Sequence, residues 1–121
     1  MHALAAAIVL ALHPVGGSHA AGTATLRPVG PGTTAAVRLR GLAPRAPARV
    51  VLQAGSCAHP SASFALVAEL RAGVSGAARA TAAIRFHGTA PVALQDVTDG
   101  AHVIRVLAGG RAVACGTIPR P

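Results

Sequence analysis

Between Thr34 and Leu42 the sequence alternates, with Ala35, Val37 and Leu39 pointing one way and Arg38 and Arg40 the other. A period of two is the repeat of a strand with one buried and one wetted face. Gly22–Arg27 alternates likewise, and Arg49–Ala54, Phe64–Arg71, Ala77–Phe86, Ala101–Leu107 and Arg111–Ile118 read as further strands, with Arg79, Thr81 and Arg85 placed outward. Between these runs the 14 Gly and 9 Pro residues act as punctuation. Pro28–Thr33 reads as a turn and Ala43–Ala48 as a loop, while Gly55-Ser56-Cys57 leads into an irregular stretch. A tight turn at Ala108-Gly109-Gly110 joins the last two strands. His87–Gly100 reads as a loop in which Leu94–Val97 forms a helical turn. Alanine is abundant, and alanine favours helix. The spacing of the glycines and prolines, the two-residue period and the near absence of acidic side chains outweigh it. The chain is read as all-β.

Residues 3–12, ALAAAIVLAL, support two readings. Their length and apolarity suit a signal-peptide core, and Ser18-His19-Ala20 is a usable small-x-small cleavage site, which would make residues 1–20 a leader. No Lys or Arg precedes the run, however. The same residues make a first strand over 4–13, with Ile8, Leu10 and Leu12 on one face and a turn at Pro14–Gly17. Ten apolar residues are too few to span a bilayer. The strand reading is preferred, which leaves the export signal ambiguous or truncated. Eight strands at this spacing, with no repeat, predict one domain over 1–121. The architecture expected is a Greek-key, immunoglobulin-like β-sandwich or barrel.

Large side chains are scarce, since Phe64 and Phe86 are the only aromatics and the core must be built from Val, Leu, Ile and Ala. The formal charge of +8 comes wholly from arginine. Such an excess of charge suits a polyanionic partner, an anionic polymer or a cell-envelope surface, but the arginines are scattered and equally read as a solvated basic surface. No aromatic residues are interleaved with the arginines, so there is no specific nucleic-acid signature. The two cysteines, Cys57 and Cys115, lie too far apart for a C-x-x-C redox pair and are too few for a four-ligand zinc site. A structural disulfide is the economical account, and it implies a secreted, periplasmic or cell-envelope location. Two reduced thiols in a cytosolic protein are the alternative.

Several segments, taken in order, resemble the copper/zinc superoxide dismutases, above all their small secreted bacterial relatives. They are the opening strand with its Pro14-Val15-Gly16-Gly17-Ser18 turn, GTATL at 22–26, and Val37–Leu42. Gly55-Ser56-Cys57, LQDVTDGAHVI at 94–104, and the closing Ala114-Cys115-Gly116-Thr117-Ile118 complete the set. The resemblance implies a dismutase-like sandwich clamped by Cys57–Cys115. Active members hold copper through a His-x-His that precedes Gly-x-Cys and through a His at the end of the penultimate strand. Here those positions are Val51, Gln53 and Leu107. Neither Val nor Leu carries a donor atom, and a neutral amide is a poor copper ligand. The long zinc loop has no counterpart. The resemblance therefore implies a non-catalytic relative with neither copper nor zinc, a pseudoenzyme. The alternatives are residual copper-dependent dismutation by other histidines and a basic module that binds anionic polymers.

No second site emerges from the remaining residues. His59 lies beside an oxidised cysteine, while His87 and His102 sit at a loop start and a strand start. His2, His13 and His19 cluster loosely near the amino end. Glu69, Asp96 and Asp99 make no carboxylate pair; Asp96 or Asp99 is expected to cap the turn before Gly100. By strand parity, Val51 and Gln53 share a face, opposite Val50 and Leu52, and Leu107 shares a face with Arg105. If the fold is the one the resemblance implies, Val51, Gln53, Arg105, Leu107 and Arg49 form a partly apolar patch, read either as a contact surface for a partner or anionic ligand or as a site that drifted once metal was lost.

Overall fold

The computed structural model describes residues 7–120, apart from the side chains at 63 and 64. Eight strands form a single curled antiparallel sheet. They are β1 (Ile8–Pro14), β2 (Ala21–Val29), β3 (Gly32–Arg40), β4 (Pro47–Gly55), β5 (Pro60–Arg71), β6 (Ala78–Ala83), β9 (His102–Ala108) and β10 (Arg111–Thr117). Two short strands, β7 (Arg85–Phe86) and β8 (Ala90–Pro91), pair only with each other. The order across the large sheet is β5-β4-β9-β10-β1-β2-β3-β6. The edge strands β5 and β6 come together across the seam, so the sheet curls into a half-barrel. With the seam closed, β6, β5 and β4 lie side by side, β3 flanks β6 and β9 flanks β4. That is a Greek-key arrangement.

The inner face follows the alternation residue by residue. Leu10, Leu12, Ala24, Leu26, Ala35, Val37, Leu39, Val50, Leu52, Ile104 and Val106 are all buried in one cluster. Arg38 and Arg40, between them in sequence, are exposed. β1 joins the two halves of the sheet. Its residues Ile8–Leu12 pair with β2, and His13 and Pro14 turn to meet Cys115 and Ala114 on β10. Of the first strand expected over 4–13, residues 4–6 lie outside the described residues; Leu10 and Leu12 are core members.

The connections are tighter than the sequence reading supposed. The Pro28–Thr33 turn shrinks to Gly30-Pro31, because Pro28 and Thr33 are themselves a ladder pair. The stretch after Cys57 is not irregular for long: β5 starts at Pro60 and is 12 residues long. The single strand expected over Ala77–Phe86 breaks at Ile84. That side chain turns into the core, and its N–H donates to the Thr33 carbonyl at 2.9 Å, outside the β3–β6 ladder. Phe86 ends up 45% exposed and stacked on His87, rather than packed in the core. The last hairpin turns on Gly109-Gly110, with φ of 60° and 75°, the left-handed pair that a two-residue type I′ turn requires. Leu94–Asp96 is a short 3₁₀ turn, close to the helical turn expected.

The two Greek-key crossovers are stitched by backbone hydrogen bonds. In the first, Leu42 N–H donates to the Gly76 carbonyl, Arg45 N–H to Gly73 and Ala72 N–H to Ala46, tying the β3–β4 connection to the β5–β6 turn. In the second, the buried Thr33 hydroxyl donates to the Val92 carbonyl at 2.7 Å and holds the β8 segment over the end of the sheet.

Candidate functional site on the outer face of β4 and β9

The ladder between β4 and β9 pairs Arg49 with Leu107, Val51 with Arg105 and Gln53 with Val103. Residues paired across an antiparallel ladder share a face. Arg49, Val51, Gln53, Arg105 and Leu107 therefore stand together on one side of the sheet; strand parity had related them only within each strand. This is the outer side, since Val50, Leu52, Ile104 and Val106 fill the interior. Cys115 continues the row, paired with Arg105 on one flank and with His13 on the other.

The disulfide decides what becomes of this face. Cys57 and Cys115 are bonded across a sequence separation of 58. Because Cys115 points outward beside Arg105, the bond brings the four-residue loop 56–59 onto the outer face of β9 and β10. The loop is itself a closed turn, with Gly55 N–H donating to the Ala101 carbonyl, Ser56 N–H to His59, and His59 N–H to the Ser56 hydroxyl. Val51, Val103 and Cys115 are buried although they lie outside the inner cluster. The face is thus a second, thin core.

Within it, Gln53 is 5% exposed and Val51 is fully buried. The Gln53 carbonyl oxygen accepts from Arg105 Nη1 at 2.7 Å, and its NH₂ group donates to the Ser61 carbonyl at 2.6 Å. One amide so bridges β9 and β5 through β4. The resemblance implied that Arg105 lies near Gln53 but could not show that the two bond, because the β4–β9 pairing joins segments about fifty residues apart. The expected binding patch is correspondingly smaller: Val51 and Gln53 are closed off, Arg105 and Leu107 are half-buried, and only Arg49 is exposed. Arg49 lies 3.7 Å from Glu69, an exposed pair of the kind that contributes little to stability.

The remaining candidates fall elsewhere. His59 is exposed on the disulfide loop, and His87 is exposed at a left-handed turn position with φ of 51°. His102 Nδ1 meets Asp99 Oδ1 at 2.9 Å, and the same oxygen accepts from Ala101 N–H, so Asp99 is the cap of the turn before Gly100. Those two hydrogen bonds, with His102 the larger influence, hold the Asp99 carboxyl below the usual carboxylate range. Among the described residues no three His, Cys, Asp or Glu side chains converge as a metal-binding group. No helix there is long and apolar enough to cross a membrane. No family model, curated protein or solved structure matches the chain.

Proposed function

We propose that this protein is a non-catalytic, exported domain of superoxide-dismutase-like type, a structural or binding module whose copper positions have been lost. The observation that carries the reading is the state of Gln53. Of the three positions that the resemblance assigns to copper ligands, Val51 and Leu107 have no donor atom, and the Gln53 amide has its oxygen on Arg105 and its nitrogen on Ser61. A copper ion needs imidazole nitrogens that converge with free lone pairs. The residues present do not fit that ion, and no step of a reaction is assigned to them. The oxidised Cys57–Cys115 pair favours an oxidising compartment, as an exported protein would have.

The test is metal content. The protein is produced in medium supplemented with copper and zinc, purified without chelators and assayed for metal per chain and for superoxide dismutation. The reading predicts much less than one copper per chain and no dismutation above that of the free ion. One copper per chain with dismutase activity would overturn it.

A further inference from the structure

On the outer face of β3 and β6 the ladder sets two arginines directly against each other. Arg38 on β3 pairs with Arg79 on β6, and Thr23 on β2 completes the row. Both arginines are exposed. Like charges in facing positions destabilise a sheet unless something neutralises them. None of the chain's three carboxylates stands on β2, β3 or β6. The ion pairs among the described residues lie elsewhere, at Arg49–Glu69 and Asp99–His102. Arg38 and Arg79 are also shared between two adjoining depressions of the outer surface. One is floored by Thr23, Thr25, Ala36 and Thr81, and the other extends past the seam to Arg71.

We infer that this face binds an acidic polysaccharide, with Arg38 and Arg79 gripping its sulfate or carboxylate groups. Three features select that class of polyanion. Guanidinium forks match the planar or tetrahedral oxygens of such groups and can bond them bidentately. The short Thr and Ala side chains leave a shallow, open floor, and the exposed hydroxyls of Thr23 and Thr81 are hydrogen-bonding partners for sugar hydroxyls. No aromatic residue lies on β2, β3 or β6, so the face lacks the stacking platforms that single-stranded nucleic acid uses. The site gives the binding role proposed above a location and a ligand class, but it does not depend on the copper positions, which lie on β4 and β9. Copper uptake would overturn that reading and leave this one standing, and failure to bind glycan would do the reverse.

The test compares the oxidised full-length protein with the double variant Arg38→Ala/Arg79→Ala on heparin, a sulfated polysaccharide, at a series of salt concentrations. A control variant, Arg111→Ala/Arg120→Ala, removes the same charge elsewhere. The site predicts that the Arg38/Arg79 variant binds heparin about tenfold more weakly near physiological salt, and that its salt slope falls by about two, one per arginine. The control should lose much less. Removing two facing like charges should leave the fold intact, which a thermal melt checks. Equal losses in the two variants would show an unlocalised charge effect and overturn the proposal. Tighter binding to duplex DNA, or to vesicles of anionic phospholipid, than to heparin would overturn the choice of ligand.

Discussion

At the scale of single residues, the side chain that most shapes the outer face of β4 is Gln53. Its amide satisfies a half-buried guanidinium on one strand and a backbone carbonyl on another. Gln53→Ala removes both hydrogen bonds, so the variant should lose about 1–3 kcal/mol of unfolding free energy in urea titration. A loss within error of zero would mean that water replaces the amide at no cost. Asp99 carries the clearest titration. Hydrogen bonds from His102 and Ala101 favour its ionised form, so the folded chain binds that proton more weakly than the unfolded chain does. The stabilisation is therefore complete above the unfolded aspartate pKa and is lost as pH falls through the lower, folded value. A carboxyl NMR titration should place the Asp99 midpoint below that of a free aspartate, and Asp99→Asn should flatten this part of the acid limb. Gly116 shows a different constraint, invisible in the sequence. A Cβ there would lie 2.1 Å from the Ala11 carbonyl oxygen, so β10 can pass β1 only without a side chain at that point.

At the scale of elements, alternation made the strands legible and left their partners hidden. Val37 inside and Arg38 outside followed from the period of two, and so did the outward Arg79. That Arg38 and Arg79 face each other depends on β6 lying beside β3, a pairing set by the crossovers and not by any local signal. The same limit explains the break at Ile84. Continued alternation predicted one strand to Phe86, but the chain has to leave the β3 ladder to cover the sheet end, and Thr33 fixes where it does so. The irregular reading after Cys57 failed because Pro and Ser resemble loop composition, whereas the β4 pairing extends β5 back to Pro60. The disulfide is the one long-range contact the sequence did disclose, since two cysteines allow one bond. It closes a long loop and fastens the 56–59 turn to β10. In the chain-entropy model this contributes about 4 kcal/mol. Cys57→Ser/Cys115→Ser should lower unfolding free energy by an amount of that order and open the buried outer face to protease. An unchanged stability would mean that strand pairing alone fixes the loop.

At the scale of the whole molecule, the curled sheet has two outer faces with opposite characters. Across β4, β9 and β10 the disulfide loop and the Gln53–Arg105 bond close the surface, and Val51 and Val103 are as buried as any residue of the inner core. Across β2, β3 and β6 the exposed Arg38 and Arg79 stand over small side chains, with no carboxylate partner among the described residues. The first face is where the resemblance puts a metal, and the second is where charge invites a ligand. Positions 51, 53 and 107 were grouped in the sequence only by the resemblance, through the Gly-x-Cys step for the first two and the strand end for the third, while parity related residues within one strand. Their closure was not, because burial on the outer side requires a loop brought there by a distant cysteine. The claim that joins these observations is that the β4–β9 face is sealed by its own side chains and has no role for copper. The most direct check is an NMR titration of the oxidised protein with Cu²⁺, a paramagnetic ion that broadens the signals of nuclei close to it. The account predicts that the Val51 and Leu107 methyl signals and the Gln53 side-chain amide signals keep their widths at one equivalent of copper. Loss of those signals together at one equivalent would contradict it.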